Sequence, residues 1–311
     1  GTNANRVYVH RSSSEQGMLS LRGHQGAVAG LAFLPGPNRL VSAGSDGTVR
    51  LWDLAQRCQV RFLLQQASPV HSICCSPQRR AVAAVTADGM IRAWNAESGE
   101  LLLEFQSDAG PFHDLSFNAS GTLLASVSGT GEVTLWDART GERRRLFQAE
   151  CSPTHRIACS PCGRWLAVGA RDCRVQVFDA QTLTRKQKFT LASPVSGLAF
   201  GTNGILAAIS ADASAHFWDA ATGATLWRLP PTGVFRQAEL AFHPNNTRLA
   251  MAVGGEEVTL WDWPEKQRYL TLKQTARVAG LVTFSPDGTY IASATGDGSI
   301  RLWSSRSNRS G

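Results

Sequence analysis

The chain has 311 residues, is 43% hydrophobic and 18% charged, and carries a formal net charge of +7. That balance is globular, and no apolar run reaches the roughly 18 residues of a membrane-spanning helix, so insertion into a bilayer by a helix is excluded. Residues 1–10 lack the apolar core of a secretory leader, and seven cysteines without framework spacing read as free thiols of a reducing compartment. A cytoplasmic protein is expected, with nuclear, cytoskeletal or centriolar residence as the further options.

Taken in chain order, the elements repeat. A short apolar segment ending in an aromatic residue recurs as Val49-Arg50-Leu51-Trp52-Asp53, Ile91-Arg92-Ala93-Trp94-Asn95, Val133-Thr134-Leu135-Trp136-Asp137, Val175-Gln176-Val177-Phe178-Asp179, Ala215-His216-Phe217-Trp218-Asp219, Val258-Thr259-Leu260-Trp261-Asp262 and Ile300-Arg301-Leu302-Trp303-Ser304. Successive aromatic positions are 42, 42, 42, 40, 43 and 42 residues apart, a fixed period that marks a repeat architecture. Between turn signals the segments are about seven residues long and rich in Val, Ala, Leu and Ile, which makes them strands rather than helices.

The first period predicts strand a over 28–33, strand b over 39–45, strand c over 48–53 and strand d over 59–65. A Pro35-Gly36-Pro37-Asn38 turn separates a from b, and Asp46-Gly47 marks the b-to-c hairpin, as do Asp88-Gly89 and Asp297-Gly298. A four-stranded sheet of this size cannot bury its faces alone, so seven of them stack radially. The expected fold is all-β: a seven-bladed propeller of four-stranded antiparallel blades.

At this point the sequence resembles the WD40-repeat family along nearly its whole length, through Trp52-Asp53, the Gly23-His24 pair before strand a, and the Asp46 turn. The resemblance implies a structural tetrad in the first blade formed by His24, Ser42 (or Ser45), Asp46 and Trp52. Elsewhere the His position holds Gln66, Asp108, Glu150, Leu191, Gly233 and Thr275 or its neighbour, so most blades are expected to rely on packing and stability to be modest.

The last period ends at strand c, and 18–22 stand where every other period has its strand d, so an N-terminal strand closes blade 7. Residues 1–17 form an N-terminal extension in which 7–10 are either a fifth strand of blade 7 or the remnant of a preceding domain, residues 18–305 the propeller, and 306–311 a polar tail. The leftover strand favours an origin as one module of a longer chain.

Carried over by position from the family, the d-to-a and b-to-c loops surround the top mouth of the channel, where partner peptides dock. His71, His113 and His155 fall one period apart at the start of strand a, with Arg171, Arg236 and Arg277 near the same rim. Guanidinium forks and protonatable imidazoles suit carboxylate and phosphate oxygens, so acidic or phosphorylated peptides are the expected partners. The alternative is a solvated histidine copied by repeat duplication.

Residues 139–188 hold eleven Lys or Arg against Glu142, Glu150, Asp172 and Asp179, a net +7 equal to that of the whole chain. Arg143-Arg144-Arg145 and Arg185-Lys186-Gln187-Lys188 form the core of this basic sector, both on outer d strands. It either protects sheet edges or meets acidic partners such as microtubules. Nucleic acid is not expected, because no aromatic residues interleave the charges for base stacking.

Trp136-Asp137-Ala138-Arg139 also resembles the box by which some WD40 proteins dock on the adaptor of cullin-4 ubiquitin ligases. Cys159, Cys162, Cys151, His155 and Cys173 have zinc-like spacing. Cys151 and Cys162, however, flank one strand and stand about 25 Å apart at ~3.3 Å per residue. No nucleophile elbow, phosphate-cradling loop, zinc helix or paired-carboxylate cleft occurs at the required spacing, and Gly129-Thr130-Gly131 reads as a turn. The expectation is a non-catalytic scaffold without cofactor or metal. A ubiquitin-ligase substrate receptor and a cytoskeleton-, centriole- or cilium-associated subunit are the competing roles.

Overall fold

A computed structural model describes residues 18–36, 38–78, 80–106, 111–233, 238–255, 257–273 and 278–304. The expected strands at 7–10 and the tail from 306 lie outside the described residues. Seven antiparallel four-stranded sheets are arranged in a ring. In blade 1, strands a to d span Val28–Phe33, Arg39–Gly44, Thr48–Asp53 and Cys58–Gln65, within a residue of the sequence reading at each end.

Each blade buries its faces only against its neighbours. The apolar side chains accordingly fall into seven clusters strung around the ring, one of which joins Leu21, Leu281 and Ile300 of blade 7 to Val28, Leu40 and Trp52 of blade 1. Aromatic contacts repeat the pattern at larger radius, each between a strand-d ring and the strand-c ring of the next blade. Phe105 meets Trp136 at 4.3 Å, Phe147 meets Phe178 at 4.8 Å, Phe189 stacks on Trp218 at 4.2 Å, and Trp227 crosses Trp261 at 5.5 Å.

The closing strand is where the spacing predicts it. Met18–Leu21 pairs antiparallel with Ile300–Ser304, in register Met18↔Trp303 through Leu21↔Ile300. Sequence-distant segments therefore share blade 7, and Leu21 is fully buried there.

Blade 1 contains the complete polar tetrad. Trp52 Nε1 donates to Ser42 Oγ at 2.8 Å, and Ser42 Oγ lies 2.7 Å from His24 Nε2. Asp46 can only accept, so His24 Nδ1 donates to it at 3.0 Å, and the other ring nitrogen takes the Ser42 hydroxyl proton. Ser42, not Ser45, is the member. Asp46 also accepts from the backbone N–H of Gln25 at 2.9 Å and from the Thr48 hydroxyl at 2.8 Å. Burial opposes its ionisation, but the bonds from His24, Gln25 and Thr48 outweigh burial and hold the carboxyl well below the usual range.

The other blades keep fragments. Trp136 Nε1 still donates to Ser126 Oγ at 2.8 Å in blade 3, where no imidazole follows. In blades 5 and 7 the last residue of strand b, Ser210 or Thr295, bonds the turn carboxylate of Asp212 or Asp297 and the nearby Ser214 or Ser299.

Two outcomes follow from this geometry. Leu21→Ala should lower unfolding free energy by about 2–5 kcal/mol in urea titrations, the range for a fully buried Leu, and a change under ~1 would place the closure elsewhere. Asp46→Ala should cost about 2 kcal/mol at neutral pH by leaving several donors unpaired. Because the folded-state pKa of Asp46 is depressed, its contribution is present above the unfolded carboxylate value of about 4 and is lost as pH falls below it. The gap between wild type and variant should therefore close in acid.

Candidate functional site

The d-to-a and b-to-c loops gather at one end of the ring. Their neighbouring segments place His71, His113 and His155 on strands a of blades 2, 3 and 4, which span Val70–Cys75, Phe112–Phe117 and Thr154–Cys159. The His71 and His113 rings lie 6.4 Å apart. His71 is exposed, His113 half-buried, and His155 sunk further, with its Nδ1 enclosed and lacking a hydrogen-bond partner. Arg171, exposed in the b-to-c turn of blade 4, is tied there by its own N–H to Pro153 O at 2.9 Å. Arg236 and Arg277 lie outside the described residues.

Two of the three imidazoles are disfavoured as cations by their surroundings. Burial, then the charges of Arg156 and Arg171, push His155 down to about 4, and burial with His71 and Arg171 lowers His113. At neutral pH this leaves the His155 ring an uncharged hydrogen-bonding group. Among these residues Arg171 supplies the positive charge.

One residue further along each strand lies a constellation that the sequence reading missed. Gly30, Ser72, Asp114, Arg156, Gly197 and Glu239 occupy one register level, each opposite the corresponding residue of strand b. The polar ones reach the next blade. Ser72 donates to Asp114 at 2.6 Å, Asp114 accepts the N–H of Ile157 at 3.0 Å, Arg156 donates to Ser196 O, and Glu239 accepts the N–H of Val282 at 3.2 Å. Where the level holds glycine, the backbones abut instead: a Cβ on Gly30 would stand 2.4 Å from the Ile73 side chain. The unpaired inner edge of strand a is thus satisfied by its neighbour.

Burial pushes Glu239 up to about 7, against the opposing influence of Arg156 and the Val282 N–H. It also raises Asp114, against Arg156 and Ser72. The signal for this level was available as Ser72, Asp114 and Arg156 spaced one period apart. Ser-acid-base is a series of unlike types, however, and the histidines beside it were alike.

The basic sector is partly neutralised from within. Arg144 pairs with Asp137 at 2.8 Å, and Arg185 pairs with Glu150. Arg145 reaches across to blade 4 and donates to Gln181 O at 3.0 Å, which makes it a clamp between blades. Arg143, Lys186 and Lys188 are exposed and have no ion pair among the described residues. Asp137 also accepts the N–H groups of Arg139 and Thr140, at 2.8 and 3.0 Å, as a c-to-d turn requires. Cys151 and Cys162 lie beyond opposite ends of Thr154–Cys159, and no group of three metal-ligating side chains gathers among the described residues.

Glu239 and His155 impose opposite pH dependences. Between about 4.5 and 7 the native Glu239 keeps a proton that the unfolded chain has lost, so its contribution to stability falls as pH rises. Between about 4 and 6.5 the unfolded His155 holds a proton that the native ring lacks, so its contribution rises. Glu239→Gln removes only the first, and its stability relative to wild type should climb from about pH 5 and level off above about pH 7 in urea titrations. A pH-independent difference would show that Glu239 is ionised throughout.

Comparison with known proteins agrees with the ring. The family model described as WD domain, G-beta repeat matches residues 16–53, 57–95, 142–179 and 267–304, each covering one strand d and the a, b and c strands that follow it. A small ribosomal subunit protein RACK1z of Arabidopsis thaliana is 39% identical over 67 residues, 22% of this chain and 20% of that protein. A periodic tryptophan protein 2 homolog of Neurospora crassa is 38% identical over 80 residues, 25% of this chain and 9% of its own length. Cilia- and flagella-associated protein 57 of Mus musculus is 28% identical over 83 residues, 27% of this chain and 7% of its own length. Each of these matches spans a fifth or less of the relative. With seven closed four-stranded blades and four matched repeats, the chain belongs to the WD40-repeat β-propeller family.

Proposed function

We propose that this propeller is a non-catalytic platform for other proteins, taking partner peptides that carry carboxylate or phosphate at the mouth formed by His71, His113, His155 and Arg171. The observation that supports it is the convergence of these four residues from three adjacent blades, with an unpartnered His155 nitrogen among them. In this reading Arg171 pairs with the anion while the neutral His155 ring hydrogen-bonds it. Residence in the cytoplasm fits seven free cysteines, none of them paired.

A second reading, association with the cytoskeleton or a cilium, draws on the exposed Arg143, Lys186 and Lys188 and on the stretch of likeness to a cilia- and flagella-associated protein. Proximity labelling in cells tests the first reading. The His113→Ala/Arg171→Ala double variant should lose about tenfold in recovery of a defined subset of partners, and unchanged recovery would remove the mouth as a site. Co-sedimentation with microtubules across a salt series tests the second. Binding that weakens as salt rises is expected, and no binding at low salt would end it.

A further inference from the structure

The a-to-b and c-to-d turns meet at the end of the ring opposite the histidines, and two grooves there are built to the same plan. Between blades 1 and 2, Arg61 of strand d donates to Ser98 O, and Arg80 forms an ion pair with Glu97 beside a cavity of about 350 Å³. Between blades 3 and 4, Arg145 donates to Gln181 O beside a cavity of about 360 Å³. The registers Ala81↔Asn95 and Trp165↔Asp179 make the positions equivalent: Arg80 corresponds to Arg164 and Glu97 to Gln181.

The substitution of Gln181 for the acid leaves Arg164 without an ion pair among the described residues. Its guanidinium instead lies over the Trp165 ring, 4.6 Å from the centroid. The nearby carboxylates are already engaged: Asp179 accepts the N–H groups of Gln181 and Thr182, and Asp137 is paired with Arg144. Arg164 stands between two residues of the groove wall, Gly163 and Trp165. The wall presents Leu123, Leu135, Leu166 and Trp165 together with the polar Asn118, Ser120, Ser160 and Gln181, and the exposed Cys162 also lines it. It also lies inside the one strongly basic sector of the chain.

We propose that this groove docks an acidic, aliphatic segment of a partner protein. An Asp or Glu of the partner pairs with Arg164 as Glu97 pairs with Arg80, while a neighbouring aliphatic side chain enters between Leu123, Leu135 and Leu166. The inference rests on the reading of the chain as a protein-binding platform but uses the opposite face of the ring.

The test is selection of short random displayed peptides on the whole chain, with counter-selection on Gln181→Glu, whose new carboxylate occupies Arg164 from within. Enriched peptides should carry an acid beside Leu, Ile or Val, and bound peptide should shield Cys162 from maleimide. By fluorescence anisotropy their affinity should fall about tenfold in Arg164→Ala and Gln181→Glu, partly recover in Arg164→Lys, and stay unchanged in Arg80→Ala and in His113→Ala/Arg171→Ala. No enrichment, enrichment without an acid, or binding indifferent to Arg164→Ala would overturn the proposal. Displacement of the peptide by polynucleotide or by anionic vesicles would also overturn it. If the groove fails while the proximity-labelled partners persist, the platform reading stands without it.

Discussion

Everything in this molecule depends on a constraint of surface. A four-stranded sheet has two apolar faces and no partner within itself, so each blade is stable only between two others, and the series must return to its start. Pairing of Met18–Leu21 with Ile300–Ser304 supplies that return. Without it, Leu21, Ile300 and Leu302 of blade 7 and the blade 1 residues packed on them, Val28 and Trp52 included, would face water together.

The ring is joined at two radii by different chemistry. At the outer radius aromatic rings on strand d lie against the strand-c aromatic residue of the next blade, and Arg61, Arg145 and Gln187 reach the carbonyls of the next c-to-d turn. At the inner radius Ser72, Asp114, Arg156 and Glu239 each bond the following blade, and Gly30 allows direct backbone approach. Among the described residues the full tetrad occurs only in blade 1, so these seams, not repeated polar tetrads, unite most of the ring. The same inner level carries charge into the channel wall, where burial keeps the Glu239 proton near neutrality and Arg156 helps hold His155 neutral.

Much of this was legible as spacing. The Trp52-Ser42-His24-Asp46 chain was implied by the resemblance to WD40 repeats, whereas strand limits in blade 1 and the closing strand follow from turn residues and from position within the period, because side-chain alternation and hairpin geometry are local. The histidines at 71, 113 and 155 were legible for the same reason. The lowered proton affinity of His113 and His155 was not, since it depends on burial and on Arg156 and Arg171, which act through space. The inner seam escaped because its acceptors are satisfied by backbone N–H groups of Ile157 and Val282, and every residue has such a group. The basic sector read as eleven charges, yet Asp137, Asp172 and Glu150 pair with three of them and Arg145 serves as a clamp.

The residues by themselves determined the number of blades, the strand order within each and the closure, because a period of about 42 residues with aromatic ends and Asp-Gly turns admits little else. Only the tertiary structure decided which polar groups meet. Arg80 and Arg164 hold equivalent positions beside two grooves, yet Arg80 pairs with Glu97 whereas Arg164, with Gln181 in place of the acid and Trp165 in place of Ala81, lies over an aromatic ring. The physical reason is that these partners lie on different strands and turns brought together by the ring, so their pairing depends on tertiary distance rather than on the pattern of any one strand.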